Sequence, residues 1–189
     1  SKADYQRDLI NNLNIPVLYT PGDNEWRDCI NVAKGDTYNL ERLAYIRETF
    51  FSMNKTLGGN PSIVENQRMR GYPENVRLIK KNIAFITAHV VGSQNNLDPY
   101  SKENTLEYLQ RDAANVDWIT KSFERYKDAS AYVVVIHADI FKSSKKIPLF
   151  FIQKYGSPDV ETLEIEINPY ENFTSSLLEL SNKYKKPVL

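Results

Sequence analysis

The chain has 189 residues, with 24 Lys and Arg against 24 Asp and Glu, so its formal net charge is zero. Its length supports a single domain. A hydrophobic share of 41% and a charged share of 25% exclude wholesale disorder, and the zero net charge argues against a nucleic-acid binder working by bulk electrostatics. The lone cysteine, Cys29, excludes an internal disulfide and a multi-thiolate zinc site, and no apolar run is long enough for a membrane span.

Apolar runs alternate with segments of helical period, which predicts an α/β layer fold. Ser1 to Leu13 reads as the end of a helix with Leu9, Ile10 and Leu13 on one face. Ile15 to Thr20 is a short β-rich run, broken by Pro21-Gly22-Asp23-Asn24. From Asn39, a candidate cap, Leu40, Leu43, Ile46 and Phe50 recur at helical spacing. Residues 54–75, rich in Gly, Pro, Asn and Ser, read as one long loop. Val76–Ile79 and Ile83–Val91 are predicted strands whose short link suits an antiparallel hairpin. A long helix follows over 104–126, with Leu106, Leu109, Ala113, Val116, Ile119 and Phe123 as its inner stripe. Ala131 to His137 is apolar enough to be a strand buried on both faces. Leu163, Ile165 and Ile167 alternate like a half-exposed strand, and Phe173, Leu177, Leu180 and Tyr184 define a last helix. Lys186 to Leu189 reads as the opening of another strand, so the chain is expected to be cut at both ends, with any targeting segment already missing.

Three polar positions follow apolar strands. Asp23 and Asn24 follow the 15–20 run, His89 lies near the end of 83–91, and His137 closes 131–137. Ligands in open α/β sheets sit outside the carboxyl ends of the strands. If 15–20 and 131–137 are parallel neighbours, Asp23, Asn24 and His137 share one edge, and that donor set suits a hard or borderline divalent ion. Each position also has a plainer reading. Pro-Gly-Asp-Asn is a turn signal in its own right, a His closing a buried strand is more often a bonded core residue, and Ser93-Gln94-Asn95-Asn96 works as a solvated turn.

The segment Pro21-Gly-Asp-Asn-Glu-Trp26, with Asp28-Cys29 following, resembles the third motif of calcineurin-like metallophosphoesterases. The likeness continues through Glu41-Arg-Leu-Ala44, Phe50-Phe51, Tyr72-Pro-Glu-Asn75, His89-Val-Val-Gly-Ser93, Asn95-Asn96, Ala113-Ala-Asn115 and Trp118. His137-Ala-Asp139 resembles the fourth motif, where the family places a metal-binding His. The resemblance implies a fragment of a four-layer α/β/β/α sandwich, with strands 15–20 and 131–137 adjacent or one apart. Asp23 then stands where the family has a metal-ligating Asn, and His137 where it has a ligand of the second metal. Asn24 replaces the family's catalytic His and cannot donate a proton as an imidazolium does, while Glu25 would orient the turn. Asn95 and Asn96 would bind the phosphate or the substrate.

The expected activity of the parent domain is therefore hydrolysis of a phosphate ester through water activated by two divalent ions, manganese, iron or zinc. The family's first, second and fifth motifs are not in the chain, so residues 1–189 are expected to be one truncated domain without efficient turnover alone. The rival readings are a catalytically incomplete interaction domain of the same fold and an unrelated α/β binding domain. Cys29 is expected to be a packed thiol. Asn54-Lys-Thr56 and Asn172-Phe-Thr174 fit the glycosylation acceptor pattern, a lean towards an extracytoplasmic location.

Overall fold

A computed structural model describes residues 1–29, 38–141, 145–148 and 164–189. Helices and a mixed sheet make up an α/β fold. The four-stranded sheet runs in the order β1 (Glu65–Gln67), β2 (Tyr72–Lys80), β3 (Ile83–Thr87) and β4 (Ala131–Val135). The first three strands are antiparallel neighbours, whereas β3 and β4 run parallel with Ala84 opposite Tyr132 and Phe85 opposite Val133. The β2–β3 hairpin closes through Lys81 and Asn82, both at positive φ, 49° and 60°. Such a pair matches the twist of the flanking strands in a two-residue hairpin. Beyond β4, Val188 forms a parallel bridge with Tyr132, and Leu189 exchanges backbone bonds with Tyr132 and Val134. A separate pair, β5 (Lys145–Pro148) and β6 (Glu164–Ile167), is antiparallel. Leu163 lies outside the described residues.

The parallel β3–β4 pair is connected by helix α3 (Lys102–Arg125), which starts on a Ser101 side-chain cap. Helix α4 (Glu171–Tyr184) packs beside it. Ala84 and Ile86 of β3, Tyr132 of β4, Trp118, Ile119 and Phe123 of α3, and Phe173 and Leu180 of α4 form the main core. Leu177 and Tyr184 pack against it, so the stripe expected for the last helix is the stripe it buries. Two smaller clusters lie elsewhere. Helix α2 (Tyr38–Phe51) meets helix α1 (Lys2–Asn11) through Ile46, Phe50, Phe51 and Ala3. Trp26, Leu43 and Val91 form the other.

Several sequence expectations need correction. Residues 15–20 do not join β4. Their one described pairing is an antiparallel bridge from Val17 to Leu57, so an apolar run here packs against a loop instead of entering the sheet. The expected loop over 54–75 contains β1 and the start of β2. Helix α1 begins at Lys2 with Ser1 as its cap, and it turns Ala3 and Ile10 inward while Leu9 and Leu13 stay about half exposed. Asn39 lies within α2, where its amide donates to Asn104 Oδ1 at 2.8 Å, and does not cap the helix. Strand β4 is fully buried only at Tyr132, because α3 and α4 cover one face.

The largest correction concerns α3. Leu106 and Leu109 are 45% and 54% exposed, and Ala113 is exposed too. Ile119 and Phe123 are buried as expected, but beside them the inward stripe is Asn104, Tyr108, Arg111, Asn115, Trp118 and Ser122, recurring at spacings of three and four. The helix faces a polar part of the interior, and hydrogen bonds rather than apolar burial fix its rotation there.

Candidate functional site

The site lies where the chain leaves the parallel pair. After β3 it runs through Ala88 to Val91, with Ala88 N–H bonded to Val135 O. Val90 O accepts from the N–H groups of both His137 and Ala138, which brings the end of β4 beside Gly92. The Pro-Gly-Asp-Asn turn meets these two segments. Gly22 N–H donates to Glu25 Oε2 at 2.8 Å, and Trp26 N–H closes a 3-10 turn onto Asp23 O. Trp26, fully buried against Leu43 and Val91, anchors that turn.

Asp23 and His137 are thereby brought together, with Oδ1 and Nδ1 3.4 Å apart. That distance is long for a hydrogen bond. It equals the edge of a tetrahedron with bonds of about 2.1 Å, the length zinc makes to oxygen and nitrogen. The surroundings leave room only for glycine. A Cβ at Gly22 would sit 2.6 Å from the His137 ring, and one at Gly92 would overlap the Asp23 carboxylate. Asp23 is mostly buried while His137 is 41% exposed, so the pair opens to solvent on the imidazole side. Carboxylate oxygen and imidazole nitrogen at this spacing fit part of the shell of one divalent ion. Among the described residues, no group of three or more His, Cys, Asp and Glu side chains is placed to hold an ion.

Asn24 is exposed, and its backbone N–H donates to Asp23 Oδ1 at 3.2 Å. Cys29 is half-buried, with Sγ 3.7 Å from Glu25 O. Asn95 and Asn96 are fully buried and take a different place from the one expected of substrate-binding residues. Asn95 Oδ1 accepts from Arg111, and Asn96 Nδ2 donates to Glu107 Oε2 at 2.8 Å. Their polar atoms serve the interior.

A polar network that pattern reading missed lies beneath this turn. The Arg111 guanidinium, fully buried, donates to His89 O, to Asn95 Oδ1 and O, and to both Glu107 carboxylate oxygens. It fixes four consecutive residues, Ser93 to Asn96, with φ between 49° and 65°. Ser93 and Gln94 pay steric strain there that glycine would escape. Deeper in, His89 Nδ1 meets Glu74 Oε1 at 2.9 Å, and Arg47 grips Glu74 through two nitrogens. Burial pushes the Glu74 carboxyl up, but the His89 hydrogen bond and the Arg47 charge outweigh it and hold the group at about 2. Burial pushes His89 below its ordinary value, so the ring is neutral and Nδ1–H donates to an ionised Glu74. Asn75, Gln67 and Asn115 extend the network to β1 and α3. The Tyr108 and Trp118 positions flanking Arg111 and Asn115 on one helical stripe were the signal that α3 turns this face inward.

Among the described residues, no helix is long and apolar enough to cross a membrane. The chain matches no known protein family, curated protein or solved structure.

Proposed function

We propose that this chain serves a metal-dependent phosphoester hydrolase of the calcineurin-like metallophosphoesterase kind. The observation that carries the reading is the approach of Asp23 and His137 to 3.4 Å, from two separate segments that resemble metal-ligand motifs of that family. A bound pair of divalent ions, manganese, iron or zinc, supplies polarised phosphoryl oxygens and a water of lowered pKa. Asp23 Oδ1 and His137 Nδ1 would hold one of them in part. Asn24, exposed beside Asp23, offers an amide N–H to a phosphate oxygen. It orients charge and moves no proton. Glu25 keeps the turn closed by accepting from Gly22 N–H.

The four-layer α/β/β/α sandwich is proposed on the second face of the sheet. Leu78, Phe85 and Val133 lie in register across β2, β3 and β4, opposite the face that α3 covers. All three are only half-buried, as residues of an inner sheet face are before a second sheet covers them.

The test assays the protein with manganese or zinc on an aryl phosphate monoester and a bis-aryl diester. Asp23→Ala and His137→Ala are each expected to remove turnover, and Asn24→Ala to reduce it by about 10²-fold, as for loss of one charge-stabilising donor. Turnover indifferent to both ligand substitutions overturns the proposal. Ion binding without turnover in the wild type assigns the chain to the second reading, a catalytically incomplete interaction domain.

A further inference from the structure

The two oxygens of Asp23 face different partners. Oδ1 faces His137 Nδ1 at 3.4 Å, whereas Oδ2 accepts the Ser93 hydroxyl at 2.8 Å. Ser93 comes from a segment far along the chain and reaches Asp23 only because the backbone turns left-handed at φ 49° and ψ 49°. That turn is held from beneath by Arg111, through Asn95 Oδ1 at 2.6 Å and Asn95 O at 2.8 Å. Gly92 brings the same segment against the Asp23 carboxylate, where a side chain has no room.

We propose that Ser93 is a positioning residue for Asp23, fixing the carboxylate so that Oδ1 is presented to a divalent ion shared with His137. The proposal rests on the ion-binding reading of that pair. A hydroxyl has one proton to donate, and Ser93 Oγ lies 2.8 Å from Asp23 and 2.9 Å from Asp28 Oδ1. Donated to Asp23, the proton stops the carboxylate from rotating. Lost, it removes the bond that holds Oδ2 and frees Asp23 to swing from His137. Hydrogen bonds behind a ligand of this kind change metal affinity by about 10–100-fold. The left-handed backbone is the cost of bringing the hydroxyl there, and glycine at 93 separates the two effects. It adopts this φ freely but brings no hydroxyl.

The chain contains two histidines, His89 and His137, so its imidazole proton resonances report the site directly. His89 is fully buried and serves as an internal reference. Titration with Mn²⁺ is expected to broaden the His137 signals first in the wild type. Ser93→Gly and Ser93→Ala are each expected to require about 10–100-fold more Mn²⁺. Ser93→Gly is expected to unfold at the same or higher denaturant concentration than wild type, which separates lost positioning from lost folding. Equal Mn²⁺ affinity in wild type and Ser93→Gly overturns the role of Ser93 and leaves the ion site standing. No selective broadening of His137 in the wild type overturns the ion site and this inference together.

Discussion

Replacing Arg111 with Met should destabilise the protein more than any single loss of an apolar side chain from α3's exposed face. The guanidinium has no exposed surface and bonds His89 O, both oxygens of Asn95, and Glu107. Some of these acceptors keep another donor. His89 O retains Asn115 Nδ2, and Glu107 Oε2 retains Asn96 Nδ2, both at 2.8 Å. The Glu107 charge, only 14% exposed, loses its cation. Removing one member of a buried pair costs about 3–5 kcal/mol, and the surviving donors place the expected loss near the middle, about 4 kcal/mol. Against a total of about 5–15 kcal/mol, that is a large fraction. Urea unfolding followed through Trp fluorescence measures it, since Arg111 also lies 5.6 Å from the Trp26 ring. Adding Glu107→Gln to Arg111→Met should cost about 1–3 kcal/mol less than adding it to wild type, because the uncompensated charge disappears. A loss under about 1 kcal/mol for Arg111→Met would refute the claim that this network holds α3 and the left-handed turn.

Gly22→Ala places a Cβ 2.6 Å from the His137 ring and 2.9 Å from Glu25 Oε2. Because the ring can swing outward, the variant should stay folded yet lose Mn²⁺ affinity, and unchanged affinity in a titration would contradict the packing. Acidification should lower stability through two groups of the same sign. His89 has a folded value below its ordinary 6.5, so its contribution is complete above that pH and is lost as pH falls through it. Glu74, held at about 2 against 4.5, adds a further loss below 4.5. Urea midpoints between about pH 7 and 5 should fall in wild type and flatten in His89→Gln; parallel curves would remove His89 as the cause. Lys81→Asn, at φ 49° in the hairpin, should raise stability by about 0.5–1 kcal/mol, and a lower melting temperature would contradict the turn geometry.

Much of this was legible where side-chain periodicity and burial coincide. Phe173, Leu177, Leu180 and Tyr184 marked α4 because its inward stripe is apolar. The tight hairpin followed from the short link between two apolar runs. Asp23 and His137 were expected on one edge, and they meet there, but not because 15–20 is a neighbouring strand. The turn reaches His137 through Trp26 packing and the Val90 carbonyl. Periodicity placed Ile119 and Phe123 of α3 inward, where they lie, but failed on the first half of the helix because it assigns Leu inward and Arg outward. Here a buried carboxylate and a set of backbone carbonyls make Arg111 and Asn115 the better inward residues. Ser93 to Asn96 hid a left-handed turn because only its two Asn residues favour positive φ, whereas Ser93 and Gln94 do not and are held there by a turn that Arg111 anchors through Asn95.

The central claim is that Asp23 and His137 are ligands of one divalent ion. Crystals of the protein soaked in Mn²⁺, with data collected for anomalous scattering, test it most directly. The expected result is an anomalous peak about 2.0–2.3 Å from both Asp23 Oδ1 and His137 Nδ1, absent in Asp23→Ala. A well-soaked crystal with Asp23 and His137 still facing each other and no peak between them would contradict it.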